Sequence, residues 1–367
     1  MNRKKTTPKV AIVADWITNP GGDDKVLRAL CNLFPAAPLY TTIYKQEDMP
    51  HYKNKHIHTT WLNKILLPHQ VLVPLMFNAL RRFDFSSFDL IISSSHTVGK
   101  SITKPARTKH ICYCHTPLRY VWAPEIDPLK SRINLGPLEA PLLSLLKKYD
   151  TRSSKTVDQY VANSHYIAER IKRAYGAAAT VVYPPVETAL FTPREKVSKG
   201  DYFLAAGRLI SYKKNDLIVK ACNKANAKLV VAGTGPELNH LKAIGARNVQ
   251  FLGYVSDKKL IELYQQAKGI IFAAHEDFGI VPVEAQASGT PVVAYGAGGA
   301  KETVIDGKTG LLFPEQTVSS LAKTLVQFEK QKFSSRACIA NAQRFDKKNF
   351  DKQFRQLIND VLSEEKK

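Results

Sequence analysis

The sequence lacks the features that define several large classes of protein. No apolar run reaches the ~18 to 20 residues that a membrane-spanning helix needs, and the polar start at Met1–Lys9 does not combine a basic region with the apolar core of a secretory signal. The five cysteines are odd in number and irregularly spaced, so we expect reduced thiols rather than a disulfide framework. The sequence therefore predicts a cytoplasmic protein.

Nucleic-acid-binding motifs are also missing, although the chain is strongly basic. It has 53 lysines and arginines against 32 acidic residues, a net charge of +21, but no basic recognition helix, zinc-finger spacing or aromatic RNA-binding signature. A basic excess suits nucleic acid or an anionic membrane face. Because the basic residues are spread along the whole chain, a membrane surface is the better candidate, and nucleic acid is the weaker one.

The pattern of strands and helices indicates two α/β domains. The 367 residues, 44% of them apolar, are enough for two hydrophobic cores. Strand-like and helix-like segments alternate in both halves, as in doubly wound parallel sheets. Paired prolines at 184–185 favour a stiff, extended connection. We expect one domain over 1–183 and a second over 184–344, with a terminal helix at about 345–363 completing the first.

The stretch from His275 to Val304 carries the strongest functional signal. Apolar runs at 269–274 and 291–295 predict two buried parallel strands, with room between them for one helix of about two to three turns. Pro282 suits the first turn of that helix, and Gly289 suits the residue just past its end. The stretch therefore reads as a strand, a loop, a short helix and a second strand.

The predicted start of this helix suits a ligand that carries both phosphate and sugar. Backbone N–H groups at 278–280 could bind phosphate or sugar hydroxyls. Glu284 is expected in the first helical turn and Glu276 in the preceding loop, where the two carboxylates suit neutral hydroxyls. A second glycine loop at 296–299 also follows a strand, so we expect the two loops to converge at one edge of the sheet.

The run from Glu276 to Glu284, with seven residues between the glutamates, resembles the E-x7-E signature of retaining GT-B glycosyltransferases of family 4. The resemblance implies an α/β fold of two Rossmann-like doubly wound parallel-sheet domains facing a cleft. The first domain would bind the acceptor and the second the nucleotide-sugar donor. By the same resemblance Glu284 would hold the nucleotide ribose, and the donor sugar would be held by Glu276, Phe278, Gly279 and Ile280.

Two cations after the strand predicted at 202–206 complete the resemblance. Arg208 and Lys213, five residues apart, could close on one diphosphate, and they match the family's phosphate-binding pair. The other donor-binding residues that the resemblance implies are glycines and one base-contacting position: Gly21, Gly22, Gly207, Gly233, Gly235 and Val255. The family's first glycine loop usually continues Ala-Glu-Arg, whereas Asp23 and Asp24 follow here, so only the two glycines are carried over.

The segment from His110 to Trp122 allows two interpretations. Its histidines and cysteines could suggest zinc, but their spacings are too short, and a strand would place His115 on the face opposite Cys112 and Cys114. The segment is similar to Tyr-Cys-His-Thr-Pro-x-Arg-Tyr-x-Trp, which occurs in a subgroup consisting mainly of mannosyltransferases. That similarity implies that His115 lines the acceptor and donor-sugar side of the cleft; a structural, hydrogen-bonded histidine is the alternative.

The apolar segment at 61–83 also allows two interpretations. Pro68 and Pro74 are expected to interrupt any single helix there. Helices packed over the sheet of the first domain are favoured, because most apolar stripes are core. Its basic flanks also suit docking on a membrane, and the two roles are compatible.

The function favoured by sequence is a retaining transfer of a hexose to a lipid-linked or cell-surface glycan. Mannose from GDP-mannose is the preferred donor, with Glu276, Arg208, Lys213 and His115 as the catalytic candidates. The alternatives are a UDP-linked glucose or GlcNAc donor, a nucleotide-sugar epimerase, and a non-catalytic basic binder of membrane or nucleic acid. The resemblance implies no cofactor beyond the donor and no obligatory metal. It also fits a cytoplasmic protein that contacts the inner face of the cell membrane peripherally.

Overall fold

Every ladder between the described strands is parallel, as the alternation of apolar strands and helices predicts. The computed structural model describes residues 8–123, 139–193, 195 and 197–363. They form two units: unit 1 contains the described residues of Met1–Pro184 and Phe350–Lys367, and unit 2 contains those of Pro185–Asn349. Each unit has its own parallel sheet, so the expected pair of Rossmann-like domains is confirmed.

Unit 1 is built on a seven-stranded sheet in the order β3-β2-β1-β4-β5-β6-β7. Its strands are β1 Val10–Ala14, β2 Leu39–Thr41, β3 Ile57–Thr59, β4 Leu90–Ser95, β5 Lys109–Cys114, β6 Gln159–Ala162 and β7 Ala179–Val181. Its first helices are α1 Gly22–Leu33, α2 His69–Leu80, α3 Arg119–Trp122, α4 Glu139–Ser154 and α5 His165–Tyr175, with 3-10 turns at Pro50–Tyr52 and Trp61–Lys64. The strand order reverses between β1 and β4.

Helices cover both faces of this sheet, which explains why its central strands are apolar without alternation. Residues of β1 and β4 are buried along their whole length. On one face Ile12 packs with Leu30 of α1, and on the other Val13 packs with Phe77 of α2. The five cysteines of the chain are all buried and free. Cys31, Cys112 and Cys114 pack as small apolar side chains in the clusters of this unit, and Cys222 and Cys338 belong to unit 2.

One expectation about α2 is wrong. Pro68 does precede the helix, but Pro74 lies inside it and does not end it. The helix continues because its apolar face, including Val73, Met76 and Leu80, is buried in the core. That packing offsets the ~3 kcal/mol that an internal proline costs by removing a hydrogen bond and crowding the preceding turn.

A buried ion pair joins several elements of unit 1. Lys100 Nζ lies 2.6 Å from Asp150 Oδ1, and both side chains are almost fully inaccessible to solvent. The second carboxylate oxygen of Asp150 accepts hydrogen bonds from Trp122 Nε1 at 2.7 Å and from the Tyr175 hydroxyl at 2.8 Å. Asp150 on α4 is thereby tied to α3, to α5 and to the loop after β4.

Unit 2 is built on a six-stranded sheet in the order β10-β9-β8-β11-β12-β13. Its strands are β8 Phe203–Ala206, β9 Leu229–Ala232, β10 Val249–Gly253, β11 Gly269–Phe272, β12 Val292–Tyr295 and β13 Gly310–Phe313. Its helices are α6 Thr188–Phe191, α7 Asn215–Lys224, α8 Leu238–Ile244, α9 Asp257–Gln266, α10 Ile280–Ala287, α11 Ala300–Thr303, α12 Val318–Glu329 and α13 Ser335–Ala342, with 3-10 turns at Ser211–Lys213 and Gln343–Phe345.

The final helix, α14 Lys347–Ser363, belongs to unit 1 from Phe350 onward. Its apolar residues recur at helical spacing, so they form one face. Phe350, Phe354 and Leu357 are buried in the same cluster as Ile12 of β1. The last helix of the chain therefore completes the core around its first strand. Within the part of the chain that the structure describes, no helix combines the length and the apolarity needed to cross a membrane.

Candidate functional site

The carboxyl edge of the unit 2 sheet gathers most of the residues predicted from sequence. The chain runs from β8 outward through β9 to β10 and then returns to β11 on the other side of β8. The order therefore reverses between β8 and β11, where open α/β sheets form the crevice in which they bind ligands. Arg208 and Lys213 follow β8, and Glu276 follows β11. The topology thus explains how residues far apart in sequence meet at one position.

The loop after β8 presents two basic side chains. Arg208 is exposed, and Lys213 ends the 3-10 turn. Lys213 Nζ forms an ion pair with Glu276 Oε1, with both side chains about one-fifth exposed. The same ammonium lies 5.5 Å from the centre of the Tyr212 ring and 5.9 Å from that of Phe272, within cation–π range. The structure therefore brings Lys213 and Glu276 together and leaves the Arg208 side chain in solvent.

The glycines after β9 allow two loops to pack backbone against backbone. Gly233 has a φ of +146°, and a Cβ there would overlap the carbonyl oxygen of Gly207. The amide of Gly233 donates a hydrogen bond to the carbonyl of Gly253 at 2.7 Å, and a Cβ at Gly235 would overlap the carbonyl oxygen of Leu209. A side chain at Gly233 or Gly235 would separate the loops, so glycine is required here for packing, and donor binding by these residues stays a prediction.

The loop after β11 offers its backbone to a ligand. The Phe278 side chain is buried and packs edge-on against Phe345, with ring centres 5.5 Å apart, so only its main chain faces the site. Gly279 is the N-cap of α10 with a φ of +87°, a left-handed conformation that favours glycine. Ile280 is the first residue of α10, where the N–H groups have no partner within the helix. A helix start with the expected backbone geometry is therefore present, and ligand binding there stays a prediction.

Glu284 lies one turn deeper in α10 than the sequence analysis predicted. Because Gly279 caps the helix and Ile280 begins it, Glu284 is its fifth residue and α10 has no acid in its first turn. Its carboxylate is nearly buried and accepts a hydrogen bond of 3.2 Å from the Tyr264 hydroxyl. Burial, and then the charge of Glu284, raise the pKa of Tyr264 well above its usual value, which keeps that hydroxyl a donor. Sequence reasoning missed Tyr264, since it lies on α9.

The second glycine loop, at 296–299, meets the loop after β11 as expected. The amide of Gly299 donates to the carbonyl oxygen of Glu276 at 2.9 Å. Helix α11 begins directly afterwards at Ala300, beside the helix start of α10. The two loops thus hold each other at the ends of the adjacent strands β11 and β12.

Val255 follows the outermost strand of this sheet, β10. Its side chain is half-buried and packs against the apolar cluster beneath the loops, while the preceding Tyr254 is 81% exposed. Contact of Val255 with the base stays a prediction.

The residues predicted in unit 1 are distributed around the end of its sheet. Gly21 is the N-cap of α1 and Gly22 its first residue. Asp24 turns inward, where it pairs with Arg28 at 3.1 Å and accepts a hydrogen bond from the Tyr52 hydroxyl at 2.8 Å. Asp23 remains about half exposed. The carboxylate of Asp24 is therefore neutralised within unit 1, and Asp23 is the acid left at the surface.

His115 follows β5 and is buried. Its Nε2 lies 2.8 Å from Ser94 Oγ, and its carbonyl oxygen accepts a hydrogen bond of 3.0 Å from Asn163 Nδ2. A structural hydrogen bond is thus present, and a catalytic role for His115 stays a prediction. The sequence analysis did not select Asp15 and His96, which lie at the ends of β1 and β4 and form an ion pair of 2.8 Å.

The histidine and cysteine segment forms hydrogen bonds and core contacts rather than a cluster. His110 Nε2 lies 2.8 Å from Ser93 Oγ, and burial lowers its pKa to about 4, so it is neutral at physiological pH. Cys112 and Cys114 pack with Tyr160 in a small apolar cluster. The described residues contain no group of three or more histidine, cysteine or acidic side chains arranged to hold a metal ion.

Comparison with known proteins gives two family matches. Residues 187–345 match the family described as glycosyl transferases group 1, and residues 20–190 match the one described as glycosyltransferase family 4. Among solved structures, HepE of Anabaena in complex with UDP and glucose has a TM-score of 0.70 at 19% identity, covering 96% of this chain and 100% of that one. Sucrose-phosphate synthase from Thermosynechococcus elongatus has a TM-score of 0.74 at 18% identity, covering 96% and 99%. The GT-B fold is therefore confirmed.

Curated relatives match over part of their length. The D-inositol 3-phosphate glycosyltransferase of Mycobacteroides abscessus is 30% identical over 214 residues, covering 51% of this chain and 48% of the relative. The D-rhamnosyltransferase WbpZ of Pseudomonas aeruginosa is 31% identical over 192 residues, covering 47% and 50%. The aligned region thus spans about half of these relatives.

Proposed function

We propose that this chain, which belongs with the GT-B glycosyltransferases by its fold and two family matches, transfers a sugar from a nucleotide-sugar donor to an acceptor hydroxyl. Unit 2 binds the donor, and unit 1 binds the acceptor. One observation carries the proposal. The Lys213–Glu276 pair, the capped start of α10 and the buried Glu284 meet where the strand order of the unit 2 sheet reverses.

Each part of the donor has a chemically suitable partner in unit 2. Arg208 and Lys213 supply positive charge for a diphosphate, and the free N–H groups at the start of α10 add to it. The buried Glu284 carboxylate, already held by Tyr264, suits the two hydroxyls of a ribose. Glu276, fixed by Lys213, suits the hydroxyls of the donor sugar. A nucleotide-sugar, which has a diphosphate, a ribose and a sugar, would contact all of these protein groups at once.

In the proposed reaction, unit 2 stabilises the leaving group. As the bond between the sugar and the diphosphate breaks, negative charge grows on the diphosphate, and Arg208, Lys213 and the α10 amides stabilise it. Glu276 orients the sugar rather than attacking it, because its carboxylate is paired with Lys213. The acceptor oxygen then bonds to the anomeric carbon on the face that the diphosphate leaves. The acceptor proton passes to the diphosphate, and the anomeric configuration is retained.

These side-chain cations take the place of a metal ion in the proposal. Transfer should therefore continue when a chelator such as EDTA is present, with no added cofactor. An absolute requirement for a divalent cation would contradict this part of the mechanism.

GDP-mannose is the first donor to test, because the segment from His110 to Trp122 resembles the mannosyltransferase subgroup. UDP-glucose and UDP-GlcNAc are the second candidates. The named relatives act on or with different sugars, so the fold by itself does not select one. The acceptor that suits a basic chain with peripheral membrane contact is a lipid-linked or cell-surface glycan.

Calorimetric titration in EDTA tests the donor site. GDP, UDP, ADP and their sugar conjugates are titrated into the wild type, Glu284→Ala and the control Glu262→Ala. The Glu262 carboxylate is exposed and pairs with the nearby, exposed Lys259 on the same helix. We expect micromolar binding of one conjugate and a loss of about ten- to hundredfold in Glu284→Ala, because a hydrogen bond to a charged group contributes ~1.5–3 kcal/mol. Glu262→Ala should bind like the wild type. If none of the nucleotides or conjugates binds, the proposal that unit 2 binds a nucleotide-sugar donor is refuted.

Membrane contact is proposed for an apolar patch in unit 1. Five large apolar side chains there are about half exposed or more: Trp61, Leu66, Leu67, Val71 and Leu75. The exposed Lys64 lies among them, and the net charge of +21 favours an anionic surface. The opposite face of α2 packs in the core. Under this proposal α2 packs in the core with one face and contributes Val71 and Leu75 to the membrane contact with the other.

Vesicle sedimentation tests this contact. The wild type should bind vesicles that contain anionic lipid, bind zwitterionic vesicles less, and be released by salt. A double variant, Leu66→Ser with Val71→Ser, should lose most of that binding while its donor titration is unchanged. Equal binding by the variant and the wild type would mean that the patch does not touch lipid.

A further inference from the structure

A closed set of hydrogen bonds joins three helices of unit 2 behind the start of α10. Gln286 lies near the end of α10, Asn341 near the end of α13, and Thr303 is the last residue of α11. All three residues are buried. The two side-chain amides and the Thr303 carbonyl are termed the amide network. The sequence analysis selected none of these residues, because their contacts are made between helices.

The amide network leaves no hydrogen-bonding group of its two side chains without a partner. Gln286 Nε2 donates to the carbonyl oxygens of Pro282 at 2.9 Å and Thr303 at 2.7 Å. Asn341 Nδ2 donates to Gln286 Oε1 at 2.7 Å and to the same Thr303 oxygen at 2.9 Å. Asn341 Oδ1 accepts from Arg344 Nη1 at 2.9 Å. All four amide hydrogens and both lone pairs of the Thr303 carbonyl are thus used, so neither amide can turn over without facing an oxygen with an oxygen.

The network supplies support that α11 lacks by itself. A helix of only four residues completes too few hydrogen bonds to be stable alone. The carbonyl of Thr303 lies in its last turn, where carbonyl groups have no partner within the helix. Two buried amides, one from α10 and one from α13, bind it instead. Gln286 and Asn341 therefore set the position of α11.

The position of α11 in turn sets the position of the second glycine loop. Within this single turn, the amide of Thr303 donates to the Gly299 carbonyl at 3.1 Å, and Thr303 Oγ1 donates to the same oxygen at 3.3 Å. Gly299 then donates its own amide to the carbonyl of Glu276 at 2.9 Å. A Cβ at Gly299 would overlap the Cα of Phe278. The loop is thus packed, backbone against backbone, on the segment proposed to bind the donor sugar.

A second route connects Asn341 with the same segment. The guanidinium of Arg344, which donates to Asn341, lies 5.1 Å from the centre of the Phe345 ring, within cation–π range. The Phe345 ring packs in turn against Phe278. The segment at 276–278 is therefore held from one side by the second glycine loop and from another by the turn after α13.

The groups proposed to bind the nucleotide are supported from elsewhere in unit 2. Glu284 precedes Gln286 by two residues, which turns the two side chains about 200° apart around α10. The carboxylate of Glu284 is held by Tyr264 of α9, and Arg208 lies in the loop after β8. Loss of the amide network should therefore affect the sugar part of the site more than its nucleotide part.

We propose that Gln286 and Asn341 are positioning residues for the donor sugar. They fix α11 against α10, and α11 fixes the second glycine loop against the backbone at 276–280. The inference rests on the proposed function, under which Glu276 and that backbone bind the sugar of the donor. Gln286 and Asn341 act through the separation of the two loops rather than by contact with the donor.

Calorimetric titration of the full chain tests this role by comparing a nucleotide with its sugar conjugate. The pairs are GDP with GDP-mannose and UDP with UDP-glucose, titrated into the wild type, Gln286→Met and Asn341→Leu. The new side chains fill about the same space but cannot bind the Thr303 carbonyl. For the pair that binds the wild type, the affinity for the conjugate relative to the free nucleotide should fall by about three- to tenfold, equivalent to the loss of one hydrogen bond. The affinity for the free nucleotide should stay close to that of the wild type.

Asn248→Leu is the matched control for a loss of stability. Asn248 is a half-buried amide whose Nδ2 donates to the carbonyls of Cys222 at 3.2 Å and Ala227 at 2.7 Å. It directly precedes β10, so it lies at the amino edge of the same sheet, away from the candidate site. Asn248→Leu should therefore destabilise unit 2 in urea unfolding without changing the affinity ratio. A fall in the ratio in the network variants alone is an effect of positioning.

The double variant Gln286→Met with Asn341→Leu keeps the test usable if a single variant is too unstable. It leaves neither amide buried without its partner, so it should be less destabilised than the two single variants predict, while the affinity ratio stays low. The positioning role is wrong if the network variants keep the wild-type ratio, or if Asn248→Leu lowers the ratio equally. If the wild type binds neither nucleotides nor conjugates, the proposed function has failed, and the positioning role fails with it.

Discussion

The buried pair of Lys100 and Asp150 allows a quantitative prediction about the stability of unit 1. Lys100→Met removes the ammonium and leaves the Asp150 carboxylate buried beside an apolar side chain. Breaking such a pair from one side costs about 3–5 kcal/mol, because the remaining charge keeps its desolvation penalty and loses its counter-ion. Lys100 also donates to the Thr97 carbonyl at 3.0 Å and lies 5.4 Å above the Tyr175 ring, so we expect the upper half of that range.

Thermal unfolding followed by circular dichroism and calorimetry measures this loss. For a folding unit of roughly 200 residues, each kcal/mol shifts Tm by about 2–4 °C, so a loss of about 4–5 kcal/mol in Lys100→Met should lower the transition of unit 1 by about 8–20 °C. Lys228→Met is the control, because its partner Asp201 is 3.1 Å away and both side chains are about two-thirds exposed. Such a surface pair contributes at most about 1 kcal/mol.

A double variant separates two effects of Lys100→Met, which are the unpaired charge left on Asp150 and the loss of the packing of Lys100. Lys100→Met combined with Asp150→Asn keeps an oxygen that can accept from Trp122 and Tyr175 but removes the buried charge. It should be more stable than Lys100→Met alone, which gives a large coupling energy in the double-mutant cycle. A cost below about 1 kcal/mol for Lys100→Met, or simple additivity in the cycle, would refute the reasoning.

Three further predictions concern single positions. Gly279→Ala places a side chain at a φ of +87° and should cost about 1–3 kcal/mol in urea unfolding of unit 2, with weaker donor binding. Tyr264→Phe removes the donor that holds Glu284, so calorimetry should show weaker donor binding but a smaller loss than in Glu284→Ala. For Asp15, burial would raise the carboxyl pKa, but His96 and the backbone amides lower it well below the usual value. Its stabilising effect is therefore complete above the unfolded pKa of about 3.9 and is lost as pH falls further. The stability difference between wild type and Asp15→Asn should accordingly shrink below about pH 4 in urea titrations, and a constant difference would contradict the assignment.

Local patterns predicted β8, β11 and β12 of unit 2 well, because each of these strands is a short apolar run. The run at 269–274 contains β11, and the run at 291–295 contains β12, with ends that differ by no more than two residues. Burial on both faces of a parallel sheet produces such runs, so the signal is local. Glu276 was correctly placed in the loop after β11 for the same reason.

The errors and omissions arose where tertiary contacts outweigh local preference. Pro74 was expected to break a helix, yet packing on its apolar face maintains the helix. Pro282 was correctly expected in the first turn, but Glu284 was placed there too, whereas the helix begins at Ile280 after its left-handed N-cap Gly279, which makes Glu284 its fifth residue. Asp15 and His96 are 81 residues apart, and only the adjacency of β1 and β4 brings them together. A sequence pattern does not contain that adjacency.

The two stretches of chain that form unit 1 have a consequence for the order of folding during synthesis. Unit 2 is one continuous segment, and all its strands have left the ribosome before α14 is made. Unit 1 must wait, because β1 and α1 stay exposed along the surface that Phe350, Phe354 and Leu357 later cover. Domains fold as units during translation, so the second half of this protein should reach its native state first. Until α14 has been synthesised, the incomplete unit 1 keeps apolar surface exposed, so it must be protected by chaperones or completed quickly to avoid aggregation.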